Sequence, residues 1–178
     1  HVGGNLVRQL LYNGWQVRCL IHQDTRALEG LDVENVTGDL ADTAVLAKQM
    51  SGCDVVFHTA AYVAIENIDI PLMEKINVGG TKAMCKAALE TRVERFIHFS
   101  SIHAFQQQPT SDTLTEDRPL VQDSKAAPYD RTKAAAQRHV LDACSQGLNA
   151  SILHPTGIIG PYDFKPSRMG QVISDIAD

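Results

Sequence analysis

The strongest constraint on the fold is the alternation of short apolar strands with helical segments along the chain. The continuous apolar run at 54–58 is typical of a strand buried on both faces of a parallel sheet. Further strands are predicted at 17–21, 33–37, 95–99 and 150–153, and helices after Gly3 and Gly4 and at 43–50, 72–89 and 129–143. This alternation predicts an α/β fold, a doubly wound parallel sheet of the Rossmann type with helices on both faces.

The two ends of the sequence suggest that elements of such a fold lie outside it. The chain opens on a helix start, His1-Val2-Gly3-Gly4-Asn5, with no strand before it, and 169–178 resembles a helix cut in mid-course. The first strand of a doubly wound sheet is central, so the second strand (17–21) and the fourth (54–58) would each lose a neighbour. We therefore expect residues 1–178 to be a dinucleotide-binding domain that lacks its first strand and a C-terminal substrate domain.

Composition excludes several classes of partner. Hydrophobic residues make up 44% and charged residues 21% of the chain, which fits one globular domain. A net charge of -5 without a run of Lys or Arg argues against nucleic acid. No apolar stretch approaches the roughly 18 residues that span a bilayer, so we expect no membrane contact and a cytoplasmic location. Scattered cysteines without a Cys-x-x-Cys pair indicate reduced, mostly buried thiols, namely Cys19, Cys53, Cys85 and Cys144.

Tyr129 and Lys133 are separated by three residues on a predicted helix, and Ser101 follows the upstream strand 95–99. A phenol, with an ordinary pKa near about 10, moves a proton at neutral pH only if a nearby cation lowers that pKa. Residues i and i+4 share one helix face, so the Lys133 ammonium is expected beside the Tyr129 phenol. Ser101 then needs only to hydrogen-bond the substrate oxygen. The three residues are predicted to catalyse hydride transfer.

Other polar residues lie near this strand. Ser100 is adjacent to Ser101, and His103 could also face a substrate. His98 alternates into the sheet and is predicted to be a packed histidine. The seven histidines form no cluster with metal-ligand spacing, so we predict no metal site.

Seven short motifs carry a resemblance to a known family: Gly38-Asp39-Leu40-Ala41-Asp42, His58-Thr59-Ala60-Ala61, Asn77-Val78-Gly79-Gly80-Thr81, Phe99-Ser100-Ser101, Thr115-Glu116-Asp117-Arg118-Pro119, Tyr129-x-x-x-Lys133 and His154-Pro155-Thr156-Gly157-Ile158-Ile159-Gly160-Pro161. In this order they resemble the extended short-chain dehydrogenase/reductase family, also called the NAD-dependent epimerase/dehydratase family. The resemblance covers nearly the whole chain. His1-Val2-Gly3 is similar to the tail of its glycine-rich turn, and 17–22 is similar to the dihydroflavonol-reductase-like branch.

The resemblance implies a nicotinamide dinucleotide at the carboxyl edge of the sheet. Backbone N–H groups at His1 and Val2 would meet the pyrophosphate, and Gly3 would let the first helix approach the sheet. The Asp39 carboxylate would bind the adenine amino group, with Leu40 against the ring.

Further cofactor contacts are implied along the same edge. Thr59, Ala60 and Ala61 are small enough for a ribose and its phosphates to lie flush against the backbone. Asn77 would brace the strand end near the nicotinamide ribose, and Lys133 would hold the ribose hydroxyls. The remaining implied contacts are Ser100, Tyr129, Pro155, Thr156 and Ile158.

The end of strand 17–21 indicates the form of the cofactor. An acidic residue there would bind both ribose hydroxyls and repel a 2'-phosphate, whereas a basic residue would accept the phosphate. The position holds His22, with Arg26 four residues on and Asp24 nearby. These residues favour NADP(H), with NAD(H) as the alternative.

The leading hypothesis for function is an NAD(P)-dependent oxidoreductase that reduces a carbonyl or oxidises a secondary alcohol. Alternatives are a nucleotide-sugar epimerase with bound NAD and a non-catalytic dinucleotide-sensing protein. The substrate is accordingly a small carbonyl or alcohol, or a nucleotide sugar. A dehydratase is less consistent, because that chemistry in the family uses an Asp-Glu pair where this chain has Ile102-His103. The resemblance also implies a homodimer built from helices 72–89 and 129–143.

Overall fold

A computed structural model describes residues 1–64, 68–164 and 167–177. The helices are α1 Val2–Tyr12, α2 Thr43–Met50, α3 Ile70–Met73, α4 Thr81–Thr91, α5 Pro128–Ser145 and α6 Arg168–Ala177. The strands are β1 Arg18–Ile21, β2 Glu34–Thr37, β3 Val55–His58, β4 Arg95–Phe99 and β5 Ala150–Leu153. A π-helix, Glu74–Gly80, joins α3 to α4, and short 3-10 turns lie at Arg26–Leu28 and Ile102–Ala104.

The chain divides into two compact units, of which the first comprises His1–Gly38 with Gly157–Asp178. Its sheet pairs β1 with β2 in parallel, from Arg18 opposite Glu34 to Ile21 opposite Thr37. The Arg8 guanidinium of α1 donates hydrogen bonds to the Gly4 and Ala27 carbonyl oxygens, at 2.9 and 2.8 Å. The bond to Ala27 joins α1 to the segment that follows β1.

The second unit, Asp39–Thr156, contains the larger sheet and most of the core. Its strands lie in the order β3-β4-β5, all parallel, with His58 opposite His98 and Phe99 opposite Leu153. Phe96 in the central strand is fully buried against apolar side chains of three helices. Those side chains are Leu46 and Met50 of α2, Ala83, Met84, Ala87 and Ala88 of α4, and Val140 and Ala143 of α5.

The predicted strands all occur, with ends that differ by at most one residue, and the fold is the predicted Rossmann-type parallel α/β architecture. Within the described residues β1 pairs with one strand and β3 with one strand, as predicted for the second and fourth strands of the fold. The prediction for the thiols is partly wrong. Cys85 is buried, whereas the other three cysteines are half-exposed. In the described part of the chain no helix combines the length and the apolar character needed to cross a membrane.

The predicted regular helix at 72–89 is wrong in its middle, which is the π-helix Glu74–Gly80. Helical periodicity cannot reveal a widened turn, because the apolar spacing on either side of it is preserved. Two glycines of weak helix propensity, Gly79 and Gly80, end the π-helix. A Cβ at Gly80 would lie 3.2 Å from the Leu40 Cβ, so a glycine permits close packing there.

Candidate active site

The carboxyl end of β4 and the first turn of α5 bring the predicted catalytic residues together. Ser101 follows β4 and begins the 3-10 turn, where its hydroxyl accepts a hydrogen bond from the His103 N–H at 3.2 Å. Pro128 begins α5, a position that suits its fixed φ and missing N–H. Tyr129 therefore lies in the first helical turn, where its phenol is in hydrogen-bonding reach of the Ser101 hydroxyl.

The pKa of the Tyr129 phenol is raised above its ordinary value. Burial is the largest cause and the Asp130 carboxylate adds to it, while the hydrogen bond with Ser101 acts in the opposite direction. The sequence-based expectation of a lowered pKa is therefore not met in this structure. A raised pKa keeps the phenol protonated at neutral pH, which is the state of a proton donor.

Lys133 lies one turn further along α5, and 4% of its surface is exposed. Its ammonium donates a hydrogen bond of 2.8 Å to the Phe99 carbonyl oxygen at the end of β4. Burial lowers the pKa of Lys133 to about 8. An ammonium has three N–H donors, and within the described residues one is used, so two remain for the hydroxyls of a ligand.

Asn77 is buried on the π-helix and is not the ordinary solvated helix residue that its position also allows. Its Oδ1 accepts from the Tyr62 N–H at 2.7 Å, and its Nδ2 donates to the Tyr62 carbonyl oxygen at 3.0 Å. Nδ2 also donates to the Thr132 hydroxyl of α5 at 3.3 Å. The side chain thus braces the segment that follows β3, and its predicted position near a nicotinamide ribose stays a prediction.

Ser100 and Ser101 face different surroundings although they are adjacent. The buried Ser100 hydroxyl donates to Gln137 Oε1 at 2.7 Å, and His154 Nε2 lies 3.0 Å from the same oxygen. An amide oxygen can only accept, so His154 carries a proton on Nε2. Ser101 rather than Ser100 lies with Tyr129, and the catalytic role of Ser101 stays a prediction.

Two histidines lie side by side in β3 and β4. His58 and His98 have ring centroids 5.3 Å apart, and both are almost fully buried. His98 is the packed residue that was predicted, and neither of its ring nitrogens has a hydrogen-bond partner among the described residues. Burial, with a smaller effect of the Lys133 charge, lowers the pKa of His58 to about 3, and burial lowers that of His98 to about 2.

The other predicted cofactor contacts of the second unit have simple local roles. The exposed Asp39 closes a turn by accepting from the Ala41 N–H at 2.9 Å, and Asp42 is the residue that caps α2. Leu40 packs against the apolar core. Thr59, Ala60 and Ala61 follow β3 as small residues, of which both alanines are exposed. The Pro155 carbonyl oxygen accepts from the Ile102 N–H at 3.3 Å, and Thr156 is exposed.

The predicted contacts of the first unit are Val2, Gly3, His22 and Ile158. Val2, Gly3 and Ile158 are half-buried, and His22 is exposed after β1. The neighbouring Gly4 is buried, and a Cβ there would lie 3.1 Å from the Ala27 Cβ in the 3-10 turn, whereas the close approach of Gly3 to the sheet stays a prediction. The Arg26 guanidinium, expected to favour a 2'-phosphate, pairs with Asp24 through two hydrogen bonds of 2.9 and 2.6 Å.

The sequence pattern missed a polar contact beside the trio. His103 Nδ1 lies 3.3 Å from Asp130 Oδ1, and the His103 ring meets the Tyr129 ring edge-on at 6.2 Å between centroids. His103 is two residues from Ser101 and Asp130 is adjacent to Tyr129, so proximity to the motifs was the available signal. Their mutual contact depends on how β4 and α5 pack.

Comparison with known proteins identifies the family to which the chain belongs. The model of the NAD dependent epimerase/dehydratase family matches residues 1–178. Sterol demethylase protein B of Methylococcus capsulatus is 36% identical over an alignment of 179 positions, which covers 99% of this chain and 54% of that protein. A putative dihydroflavonol 4-reductase of Synechocystis sp. is 34% identical over 174 residues, with 97% and 50% covered. The chain thus spans about half the length of these curated relatives.

A solved structure shares the fold. It is DesIV, a dTDP-glucose 4,6-dehydratase from Streptomyces venezuelae with NAD bound, which matches with a TM-score of 0.86 and 24% identity. The match covers 99% of this chain and 59% of that chain.

The buried histidine pair predicts a loss of stability in acid. In the unfolded chain both imidazoles take up a proton below about pH 6.5, whereas the folded state holds them neutral to about pH 3 for His58 and about pH 2 for His98. The unfolded state therefore binds more protons between these limits, and stability falls as pH falls. Each ring contributes a slope of about 1.4 kcal/mol per pH unit.

Urea unfolding between about pH 7 and about pH 4 measures this slope. The His98→Leu variant should lose the contribution of one imidazole, so its free energy of unfolding should fall less steeply as the pH falls. His139→Gln removes a half-buried imidazole from α5 and leaves the pair intact, so it serves as the control. Identical slopes in His98→Leu and the native protein would contradict the assignment.

Proposed function

We propose that this chain, which belongs to the NAD dependent epimerase/dehydratase family, carries the hydride-transfer site of an NAD(P)-dependent oxidoreductase. The observation that supports this most is the grouping of Ser101, Tyr129 and Lys133 at the carboxyl end of β4. Ser101 and Lys133 are buried and Tyr129 is half-buried, which suits a site that limits access of water. Parallel α/β sheets bind ligands outside the carboxyl ends of their strands.

Each member of the trio has a role that its contacts support. The Tyr129 phenol is the proton donor to a carbonyl oxygen in the reductive direction, because its raised pKa keeps the proton in place. The Ser101 hydroxyl, in reach of the phenol, holds the same oxygen. In the oxidative direction Tyr129 takes the alcohol proton. A nicotinamide ring, when bound, supplies or accepts the hydride.

The residues present fit a nicotinamide dinucleotide. Lys133 is a buried cation whose hydrogen bond to Phe99 leaves two donors, and ribose hydroxyls are acceptors of the required kind. Thr59, Ala60 and Ala61 follow β3 without a bulky side chain. When a ribose accepts from Lys133, the ammonium is held near the phenol and would lower its pKa towards neutrality.

Dinucleotide binding is the first prediction of this proposal. The native protein should bind NAD(H) or NADP(H) with a Kd well below about 1 mM in titration calorimetry. The preference for NADP(H) remains a prediction from His22 and Arg26. The pairing of Arg26 with Asp24 weighs against it, because that guanidinium already has a carboxylate partner.

A substitution at His22 tests whether this residue recognises the 2' position of the ribose. His22→Asp should shift binding towards NAD(H), because a carboxylate binds both ribose hydroxyls and repels a 2'-phosphate. Gln23→Asp alters the neighbouring exposed residue and is the matched control. If the ratio of NAD(H) affinity to NADP(H) affinity is the same in the two variants, His22 is not the residue that recognises the 2'-phosphate. If the native protein binds neither cofactor, the enzymatic proposal is wrong.

A secondary alcohol or ketone is the proposed substrate class. The two curated relatives named above carry the names of a sterol demethylase protein and a reductase, and both match nearly the whole of this chain. A panel of a 3-hydroxysteroid, a flavonoid ketone and UDP-glucose separates the alternatives. Net change in reduced-nicotinamide absorbance with either of the first two supports an oxidoreductase, and sugar epimerisation without net change supports the epimerase.

Tyr129→Phe tests the proton donor. The variant keeps the ring and removes the hydroxyl, so kcat should fall by roughly 10² to 10⁴, the size of a general acid-base contribution. Cofactor affinity should change little, because Lys133 is the proposed ribose ligand. Tyr12→Phe removes a hydroxyl from an exposed tyrosine of α1 and should leave kcat unchanged. Turnover of Tyr129→Phe at the native rate would exclude this mechanism.

A homodimer through helices 72–89 and 129–143 is also proposed. These helices flank a groove of about 340 Å³ lined by Glu74, Val78, Gly79, Arg131, Thr132 and Ala135. Arg131 Nε is buried there without a hydrogen-bond partner among the described residues, and small neighbours leave room for another chain. A two-fold symmetric pairing would cover the groove on both copies.

Light scattering of the native protein at micromolar concentration should therefore give a dimer, and Ala135→Arg should give a monomer because the larger side chain fills the groove. Leu141→Arg introduces the same group at an exposed position of the same helix outside the groove and should leave the dimer intact. A monomeric native protein would remove the dimer and leave the catalytic proposal untouched.

A further inference from the structure

A buried hydrogen bond of known direction links β3 to the π-helix. The Thr81 hydroxyl donates to the Asn77 carbonyl oxygen at 2.6 Å. His58 Nε2 lies 2.9 Å from the same hydroxyl oxygen. A hydroxyl has one proton, and Asn77 receives it, so His58 must donate. His58 therefore carries a proton on Nε2, and because burial lowers its pKa to about 3 the ring is neutral at neutral pH.

The series of hydrogen bonds continues from Asn77 to α5, the helix that carries Tyr129. Asn77 Nδ2 donates to the Thr132 hydroxyl, which in turn donates to the Tyr129 carbonyl oxygen at 2.9 Å. The bonds from His58 through Thr81, Asn77 and Thr132 to Tyr129 thus all run in one direction. His58, Asn77, Thr81 and Thr132 are each at most 4% exposed, so none of these bonds exchanges freely with water.

We propose that Thr81 and His58 are positioning residues for the active site, a role that rests on the function proposed above. The Thr81 hydroxyl holds the carbonyl of Asn77 where the π-helix passes into α4. The Asn77 side chain then fixes the positions of two further segments by hydrogen bonds. These are the Tyr62 backbone that follows β3 and the first turn of α5, which carries Tyr129. His58 keeps the Thr81 hydroxyl turned towards Asn77, since it occupies the acceptor side of that oxygen.

The π-helix Glu74–Gly80 explains why the position of Asn77 depends on the Thr81 side chain. A π-helix is rare and is found mostly as a single turn at functional sites. Gly79 and Gly80 give this turn weak intrinsic propensity, and a hydroxyl bonded to the carbonyl four residues earlier adds a restraint that the glycines cannot supply. Loss of that restraint is expected to displace Asn77 and with it Tyr129.

Thr81→Val tests the proposal, because it removes the hydroxyl and keeps the shape of the side chain. We expect kcat to fall by about 10-fold to 100-fold, the effect of a displacement on the scale of about 1 Å, with the substrate KM within about threefold of the native value. Thr81→Ser restores a hydroxyl and should restore most of kcat. The substrate is whichever member of the panel the native protein turns over.

Thr91→Val is the matched control, because Thr91 lies on the same helix and its hydroxyl makes the same type of bond, to the Ala87 carbonyl oxygen at 2.8 Å. It has no link to the active site in the described structure. Its kcat should equal that of the native protein. Equal kcat values in Thr81→Val and Thr91→Val would overturn the positioning role.

A second variant separates positioning from folding. Thr81→Val leaves the His58 Nε2 proton buried without a partner, which destabilises the fold, whereas replacing both partners by apolar groups of similar shape can be nearly neutral. The double variant His58→Phe/Thr81→Val should therefore recover much of the lost thermal stability while kcat stays low. Recovery of kcat together with stability would show a structural role alone and would overturn the proposal.

Two readouts distinguish this proposal from the proposed function. Nitrogen NMR of the native protein should show the His58 proton on Nε2, and a proton on Nδ1 would overturn the inferred direction of the bonds. If the native protein and Thr91→Val bind neither NAD(H) nor NADP(H), the proposed function fails and the catalytic role of Thr81 fails with it. If both bind and turn over substrate but Thr81→Val matches them, the positioning role alone fails.

Discussion

The hydrogen bond from the Lys133 ammonium to the Phe99 carbonyl oxygen is the interaction on which the candidate site depends. It joins α5 to the end of β4 across a sequence separation of 34 residues. Because Tyr129 precedes Lys133 by one helical turn and Ser101 follows Phe99 by two residues, this bond places the phenol beside the hydroxyl. A buried charge would be costly without such a partner, so the same bond also makes the burial of Lys133 tolerable.

Burial acts on every titratable group around this bond, and the direction depends on the charge of the group. It raises the pKa of the Tyr129 phenol and lowers those of Lys133 and His58, since in each case the neutral form is favoured. The result is a protonated phenol at Tyr129 and, one helical turn further along α5, a lysine whose pKa of about 8 lies close to neutral pH.

The polar groups of the second unit are accommodated beside an apolar core without disrupting it. The buried apolar core includes Phe96, Leu46 and Val140, and it lies where α2, α4 and α5 pack against the sheet. Nearer the carboxyl ends of the strands, Asn77 uses its side-chain oxygen once and its amide nitrogen twice, so its burial is compensated by hydrogen bonds. Each buried amide or hydroxyl there also restrains a neighbouring segment, and the site gains its rigidity in this way.

The sequence by itself determined the five parallel strands, the helices around them and the Tyr129-to-Lys133 spacing, because periodicity and spacing are local properties of the chain. Only the tertiary structure decided the π-helix, the raised pKa of Tyr129, the pairing of Arg26 with Asp24 and the direction of the bond from His58 to Thr81. Burial and partner choice arise between residues far apart, such as Asn77 and Thr132, which are separated by 55 positions. A local pattern of residue types does not specify such contacts, because they form only when distant segments of the chain pack together.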